Sequence, residues 1–211
     1  MNIKVLHVVG GLYDNGAFKG ANILHKALIK SKIKSKILSD MSAINKLDNI
    51  EEKEIVFINR NFLNRFLNKI FVFIEKFLKW IFLHSPRDTF NLCYFGFDIT
   101  KLDDYKDADI IHIHWLREGF ISLKSLSKIN KPVVWTMRDM WAFSGGPHYT
   151  LDFERYEKTI FSKMIKNYKM KNYNDNFNFV AVSEWLKNKA QKSNVLKNFN
   201  IAHIPNNINK N

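Results

Sequence analysis

Two short apolar runs in this 211-residue chain each end in side chains able to hold a ligand. Ile110–Ile113 gives way to His114-Trp115. Pro132–Thr136 is followed by Arg138-Asp139-Met140-Trp141, then Ser144-Gly145-Gly146 and His148. Imidazole and carboxylate groups move protons near neutral pH. A guanidinium offers phosphate a planar fork, and an indole face stacks on the apolar side of a sugar ring. Glycines let backbone N–H groups come close to an anion. Each residue also has a structural reading. His112 and His114 can be hydrogen-bonded core histidines, and Trp115 and Trp141 can be core aromatics. Arg138 and Asp139 can be a loop ion pair, and Gly145-Gly146 can be a turn.

A third candidate is the segment GGLYDNGAFKGA at residues 10–21, which contains Gly16 and Ala17. It has neither the dinucleotide-binding spacing nor the GK[ST] ending of a Walker loop. Its position between a first strand and a first helix is what favours phosphate, because backbone donors and the helix dipole meet there.

The elements that would carry these residues alternate. IKVLHVV (3–9) is apolar and β-branched and stops at Gly10-Gly11, as a buried strand before a turn does. ANILHKALIKSKI follows with Ile23, Leu24, Ala27 and Leu28 at helical spacing. KSKILSD (34–40) and EIVFIN (54–59) read as strands. Residues 92–100 are a short strand or an irregular connection, and 118–130 are helix-length. A polar helical region spans about 154–172, FVAVS is a strand, and Ser183-Glu184 open a helix as N-cap and first turn. IAHIPNNIN ends the chain as a strand entering a turn. Continuous apolar strands alternating with helices predict one α/β domain with a mainly parallel sheet covered on both faces. Ligands of such sheets sit beyond the carboxyl ends of the strands, which is where the candidate residues fall.

Composition narrows the partners. Lys and Arg number 33 against 20 Asp and Glu, a formal charge of +13. That excess suits phosphates or anionic lipid, although AT-rich coding produces Lys-rich chains as well. No basic block with interleaved aromatics and no finger or helix-turn-helix spacing is present, so nucleic acid is not an expected partner. Cys93 is the single cysteine, which excludes an intrachain disulfide and a cysteine-based zinc site. The start of the chain lacks signal-peptide character, and a cytoplasmic location is expected. Residues 60–83, RNFLNRFLNKIFVFIEKFLKWIFL, are apolar on most sides and carry scattered lysines. Their uninterrupted apolar run is too short to span a bilayer. They read either as a buried helix or as a basic amphipathic helix resting on an anionic membrane surface.

Taken together, DIIHIHW, KPVVWTMRDMWAFSGGPHY, VAVSEWLKNKA and IPNNIN resemble, in order, the N-terminal half of bacterial family 4 glycosyltransferases. They are most similar to those that build colanic-acid-type surface polysaccharides. The resemblance implies the GT-B fold, in which two Rossmann-like domains face each other across a cleft. It implies a Rossmann-like N-terminal acceptor-side domain over 1–205, with 206–211 starting the linker to a donor-binding C-terminal domain. It also implies transfer from a nucleotide-sugar with retention of configuration, without a metal or other cofactor. The acceptor would be a lipid-linked sugar or glycan, and the inner face of the cell membrane a peripheral location. Carried over residue by residue, Gly16 and Ala17 approach the donor. Arg138 and Asp139 are catalytic. His114, Trp115, Trp141, Gly145, Gly146 and His148 line the acceptor side.

Two departures stand out. Relatives commonly follow Gly-Gly with Cys-His-Tyr and a cysteine cluster, whereas Pro147 stands here before His148-Tyr149. The nucleotide-contacting carboxylate pair of the second domain has no counterpart in the sequence, so a separate C-terminal half and little turnover by this chain alone are expected. The competing class is a non-catalytic α/β module that binds an anionic glycan, a membrane surface or a partner subunit.

Overall fold

β1 (Lys4–Val9) is the third strand across a seven-stranded parallel sheet. The structure, a computed structural model, describes residues 3–11, 15–40, 54–58, 61–83 and 90–206, without the side chains of 151–153. β2 (Lys34–Ser39) and β3 (Ile55–Phe57) extend the sheet to one side of β1. β4 (Ile110–Trp115), β5 (Val133–Met137), β6 (Phe177–Ala181) and β7 (Ile201–His203) extend it to the other. The spatial order β3-β2-β1-β4-β5-β6-β7 reverses direction at β1, and every pairing is parallel. This is a Rossmann-like α/β fold, as the alternating pattern predicts.

The two sheet faces differ. Leu6, Val8, Ile111, Ile113, Val133, Trp135, Phe177 and Phe179 point to one side and join the main core. α4 (Leu123–Leu126) and α7 (Glu184–Gln191) add Leu123, Leu126, Leu186 and Ala190 to it. α3 (Asp103–Asp107) contributes Tyr105, while α5 (Thr150–Tyr156) and α6 (Ile160–Asn172) add Tyr156 and Ile165 to a cluster with Phe90 and Leu92. The opposite face is covered by α1 (Gly16–Lys30), whose buried residues are Phe18, Ala21 and His25. Asn15 caps α1, accepting from Phe18 N at 2.7 Å. Ser183 caps α7 by accepting from Leu186 N at 3.2 Å, as expected.

Three elements depart from the sequence reading. α1 starts at Gly16, earlier than the Ile23-Leu24-Ala27 pattern indicates, and that apolar edge is not its buried side: Ile23 is half exposed. Residues 92–100 form no strand; they make one isolated bridge, Phe97 to Ile121, and lead into a 3-10 turn at Ile99–Lys101. The segment 118–130 holds one short helix only.

α2 (Phe62–Leu83) forms as predicted but is not a buried helix. Its buried residues are Glu75 and Leu83, while Phe62, Phe66, Phe73, Phe77 and Trp80 are exposed. Their intervals of four, seven, four and three residues keep them on one stripe. The opposite side is fastened by Asn68 donating to Gly119 O (2.8 Å) and Lys79 donating to Phe90 O (2.9 Å). Glu75 accepts from the backbone N–H groups of Leu92 and Phe95. Among the described residues, no helix is long and apolar enough to cross a membrane.

Candidate active site at the carboxyl ends of the strands

The side chains of β4 alternate, so Ile111 and Ile113 enter the core while His112 and His114 lie under α1. His7 of β1 pairs in register with His112 and lies on that same face. Beyond His112 and His114 the sheet continues through Val134, Thr136, Val180 and Val182, where α1 no longer covers it. These side chains, α1 and the chain after β7 enclose a cavity of about 500 Å³. Lys19 and Arg138 are the charged residues among its described lining, and both are cations. His114 and Arg138, far apart in sequence, thus line one cavity.

Arg138 is the central group. Its Nη1 donates to Asn206 Oδ1 at 2.8 Å, and its Nε is buried without a hydrogen-bond partner. Burial holds its pKa below the usual guanidinium range. Gly20 makes room for it: a Cβ there would lie 2.1 Å from Arg138 Nη2. His112 Nε2 is 2.8 Å from Thr136 Oγ1, as expected of a hydrogen-bonded core histidine. Burial, and then the nearby Arg138 charge, lowers its pKa to about 4. His114 is more deeply buried, and its pKa falls well below the ordinary value for the same first reason, with His112, His7 and Arg138 adding to it. The imidazoles are therefore neutral at physiological pH, and the cationic character of the cavity comes from Arg138 and Lys19.

Gly16 opens α1 at the cavity edge, and a Cβ there would meet nothing within 4 Å. Ala17 packs on the other side, against Val9, Phe18 and Ile37. The remaining candidates gather in a second group. Asp139 does not turn to its neighbour Arg138; it accepts from Trp141 N (2.9 Å) and lies 2.6 Å from His148 Nδ1. Asn91 Nδ2 lies 2.9 Å from His148 Nε2. Trp115 Nε1 lies 3.1 Å from the same Nδ1. Asp139 and His148 border a smaller hollow of about 170 Å³, shared with Arg138, Tyr149, Ser183 and Trp185. Arg138 therefore joins the two spaces.

Trp141, Gly145 and Gly146 lie beneath this hollow. Trp141 is 2% exposed and donates through Nε1 to Asn91 O at 2.7 Å. Gly145 has its α-hydrogen side against Ser162, where a Cβ would lie 1.7 Å from Oγ. Gly146 has φ +127° and faces the Phe90 ring. These three hold the loop's shape and touch no open space.

Sequence reasoning passed over several residues in this region. Lys169 is fully buried 3.8 Å from the Trp141 ring centre, donating to Trp141 O and, at 3.0 Å, to Ser144 O. Burial lowers its pKa to about 7. His7, His25 and Gly20 were hidden because each gains its neighbours only through strand pairing or helix packing. A second cavity, about 490 Å³, lies at the amino ends of β1 and β2 beside Lys4, Ser35 and Asp107. We place the site at the opposite edge, where parallel sheets hold their ligands.

The strand order and the cation-lined cavity at the carboxyl edge together describe a Rossmann-like domain. Comparison with known proteins narrows this class. The model of Glycosyltransferase Family 4 matches residues 24–211, and the chain belongs to that family. No curated protein and no solved structure gives a significant match. Family membership makes this a glycosyltransferase domain, with a sugar donor and an acceptor as its general substrates. The matched region begins within α1, so Gly16 and Ala17 lie outside it.

Proposed function

We propose that this domain is the acceptor-side half of a retaining, nucleotide-sugar-dependent hexosyltransferase of surface-polysaccharide assembly. The observation that carries the reading is the 500 Å³ cavity, whose apolar wall bears Arg138 and Lys19 and no carboxylate among its described lining. Such a surface suits a ligand with a diphosphate and an apolar or ring-shaped body. Arg138 then stabilises the charge that grows on the diphosphate as the sugar leaves. Backbone N–H groups at the start of α1, at Gly16 and Ala17, add to that stabilisation. The leaving diphosphate takes the proton of the attacking hydroxyl, so no side chain here needs to be the base. Asp139 and His148, in the adjoining hollow, orient the acceptor, and Trp115, Trp141, Gly145 and Gly146 keep that hollow in shape.

The acceptor in this reading is a lipid-linked sugar or glycan. The exposed stripe of α2, bordered by Arg65, Lys69 and Lys76, supports a seat on an anionic membrane, in which the aromatics enter the headgroup layer and the cations meet phosphate. This would make the protein peripheral on the cytoplasmic face. A second Rossmann-like half, in the same or another chain, would supply the remaining donor contacts, and the domain by itself would turn over little. The test is a screen of common nucleotide-sugars with a lipid-linked acceptor, using the full-length gene product and any neighbouring second half. Release of nucleoside diphosphate coupled to acceptor glycosylation is expected. Absence of both transfer and hydrolysis with every donor would overturn the proposal.

A further inference from the structure

His7, His112 and His114 form a buried imidazole cluster between β1, β4 and α1. The arrangement follows from backbone geometry. Parallel pairing sets His7 beside His112, and the two-residue repeat of a strand returns His114 to the same face. One ring nitrogen from each lies within 4.8 Å of the others. His7 Nδ1 and His114 Nε2 are closest, at 3.0 Å.

Hydrogen bonding among the three leaves a remainder. If His7 donates through Nδ1, His114 must carry its proton on Nδ1, where it has no acceptor. If His114 donates through Nε2, the proton of His7 stands on Nε2, again without an acceptor. Each case also leaves one bare lone pair, since His7 Nε2 and His114 Nδ1 are both buried without a hydrogen-bond partner. Buried polar atoms in folded proteins are rarely left so.

A cation between His7 Nδ1 and His114 Nε2 would replace their hydrogen bond, with both imidazoles neutral and each keeping its proton on the outer ring nitrogen. Two imidazole nitrogens bound to one tetrahedral zinc at about 2.0–2.1 Å stand roughly 3.3 Å apart, close to the 3.0 Å found here. Burial keeps His7 and His114 in the neutral form that coordinates metals. An outer contact that orients a ligand imidazole is present at His112, whose Nε2 lies 2.8 Å from Thr136 Oγ1. An all-imidazole set suits zinc and its borderline neighbours better than magnesium or calcium.

We propose that His7, His112 and His114 bind one divalent transition-metal ion of the zinc class, leaving a fourth position for water or an anion from the adjoining cavity. The ion would tie β1 to β4 beneath α1. This site goes beyond the sugar-transfer reading and stands or falls without it.

The test uses tag-free, chelator-treated full chain titrated with Zn2+ against a chromophoric chelator, together with nitrogen-15 imidazole spectra of the same protein. Of the seven histidines, His7, His112 and His114 should shift on addition of one equivalent, with His25, His148 and His203 unmoved. His114→Gln and His7→Gln should each lower Zn2+ affinity about tenfold or more, a loss of ~1.4 kcal/mol or greater, while His203→Gln leaves it unchanged. Should the cluster variants fail to fold, the wild-type spectra decide. No Zn2+ binding up to about millimolar ion, or shifts centred on other histidines, would overturn the proposal.

Discussion

Glu75 gives the sharpest test of how α2 is held. Its carboxylate sits inside the protein, against the backbone N–H groups of Leu92 and Phe95, on a helix whose outer stripe is aromatic. Burial raises its pKa from 4.5 to about 7, and Glu118 pushes the same way, while hydrogen bonds from Phe95, Cys93 and Leu92 only partly oppose the shift. The folded state thus holds the proton more tightly than the unfolded chain does. The linked stability is fully present below about pH 4.5 and is lost as pH rises towards about 7. At ~1.4 kcal/mol per unit, the loss comes to ~3 kcal/mol at most. Glu75→Gln keeps an acceptor for the backbone and removes the titration. Urea unfolding of both proteins across this range should show the wild type losing ~3 kcal/mol relative to the variant, or roughly 6–12 °C of thermal midpoint for a chain this size. Parallel profiles between about pH 4.5 and 7 would refute the argument, because Glu75 would then be solvated or permanently ionised.

Other consequences can be checked in the same preparations. Arg138→Ala should abolish activity of a complete enzyme and shift its thermal midpoint little, since among the described residues the guanidinium's hydrogen bond is to Asn206; a loss above about 2 kcal/mol would mark it as structural. Gly20→Ala should leave stability unchanged or raise it by up to ~1 kcal/mol, yet weaken nucleotide-sugar binding in calorimetry, because the new methyl must displace the end of Arg138. Lys169 has its folded pKa depressed, so wild-type stability should climb between about pH 7 and pH 8.5, whereas Lys169→Met should show no such rise in denaturant midpoints. Phe73→Ser with Trp80→Ser should reduce sedimentation with anionic vesicles at constant stability, as both side chains are about 70% exposed. Charge reversal at Lys69 and Lys76 should act likewise. Lys79 is a poor probe, being bonded to Phe90 O and 3.7 Å from Glu118.

The strands were legible because parallel strands buried on both sides are rich in apolar, β-branched residues, and IKVLHVV, DIIHIHW and PVVWTM each are. Their parallel pairing followed once helices alternated with them. The shared edge of His114 and Arg138 was legible for the same reason, since both close a strand. What the linear sequence concealed is the depth of each residue. Trp141 and His148 look like rim residues, yet the loop from 139 to 148 folds back so that Lys169 and Asn91 enclose them. The polarity of α2 also misled: a carboxylate among phenylalanines suggests the solvent side, and here Glu75 turns inward to meet backbone donors left unpaired by the irregular segment 92–95. His7 showed no pattern of its own, because the register that joins it to His112 depends on pairing across a hundred residues.

The two long sides of α1 answer to different demands. Phe18, Ala21 and His25 anchor the cylinder to the sheet, whereas Ile23, Leu24 and Ala27 form part of the chamber wall. A change along the second edge would reshape the guest's berth and leave the mooring alone. Substitutions at Ile23, Leu24 and Ala27 would therefore alter one rail of a single helix, with folding held by the other.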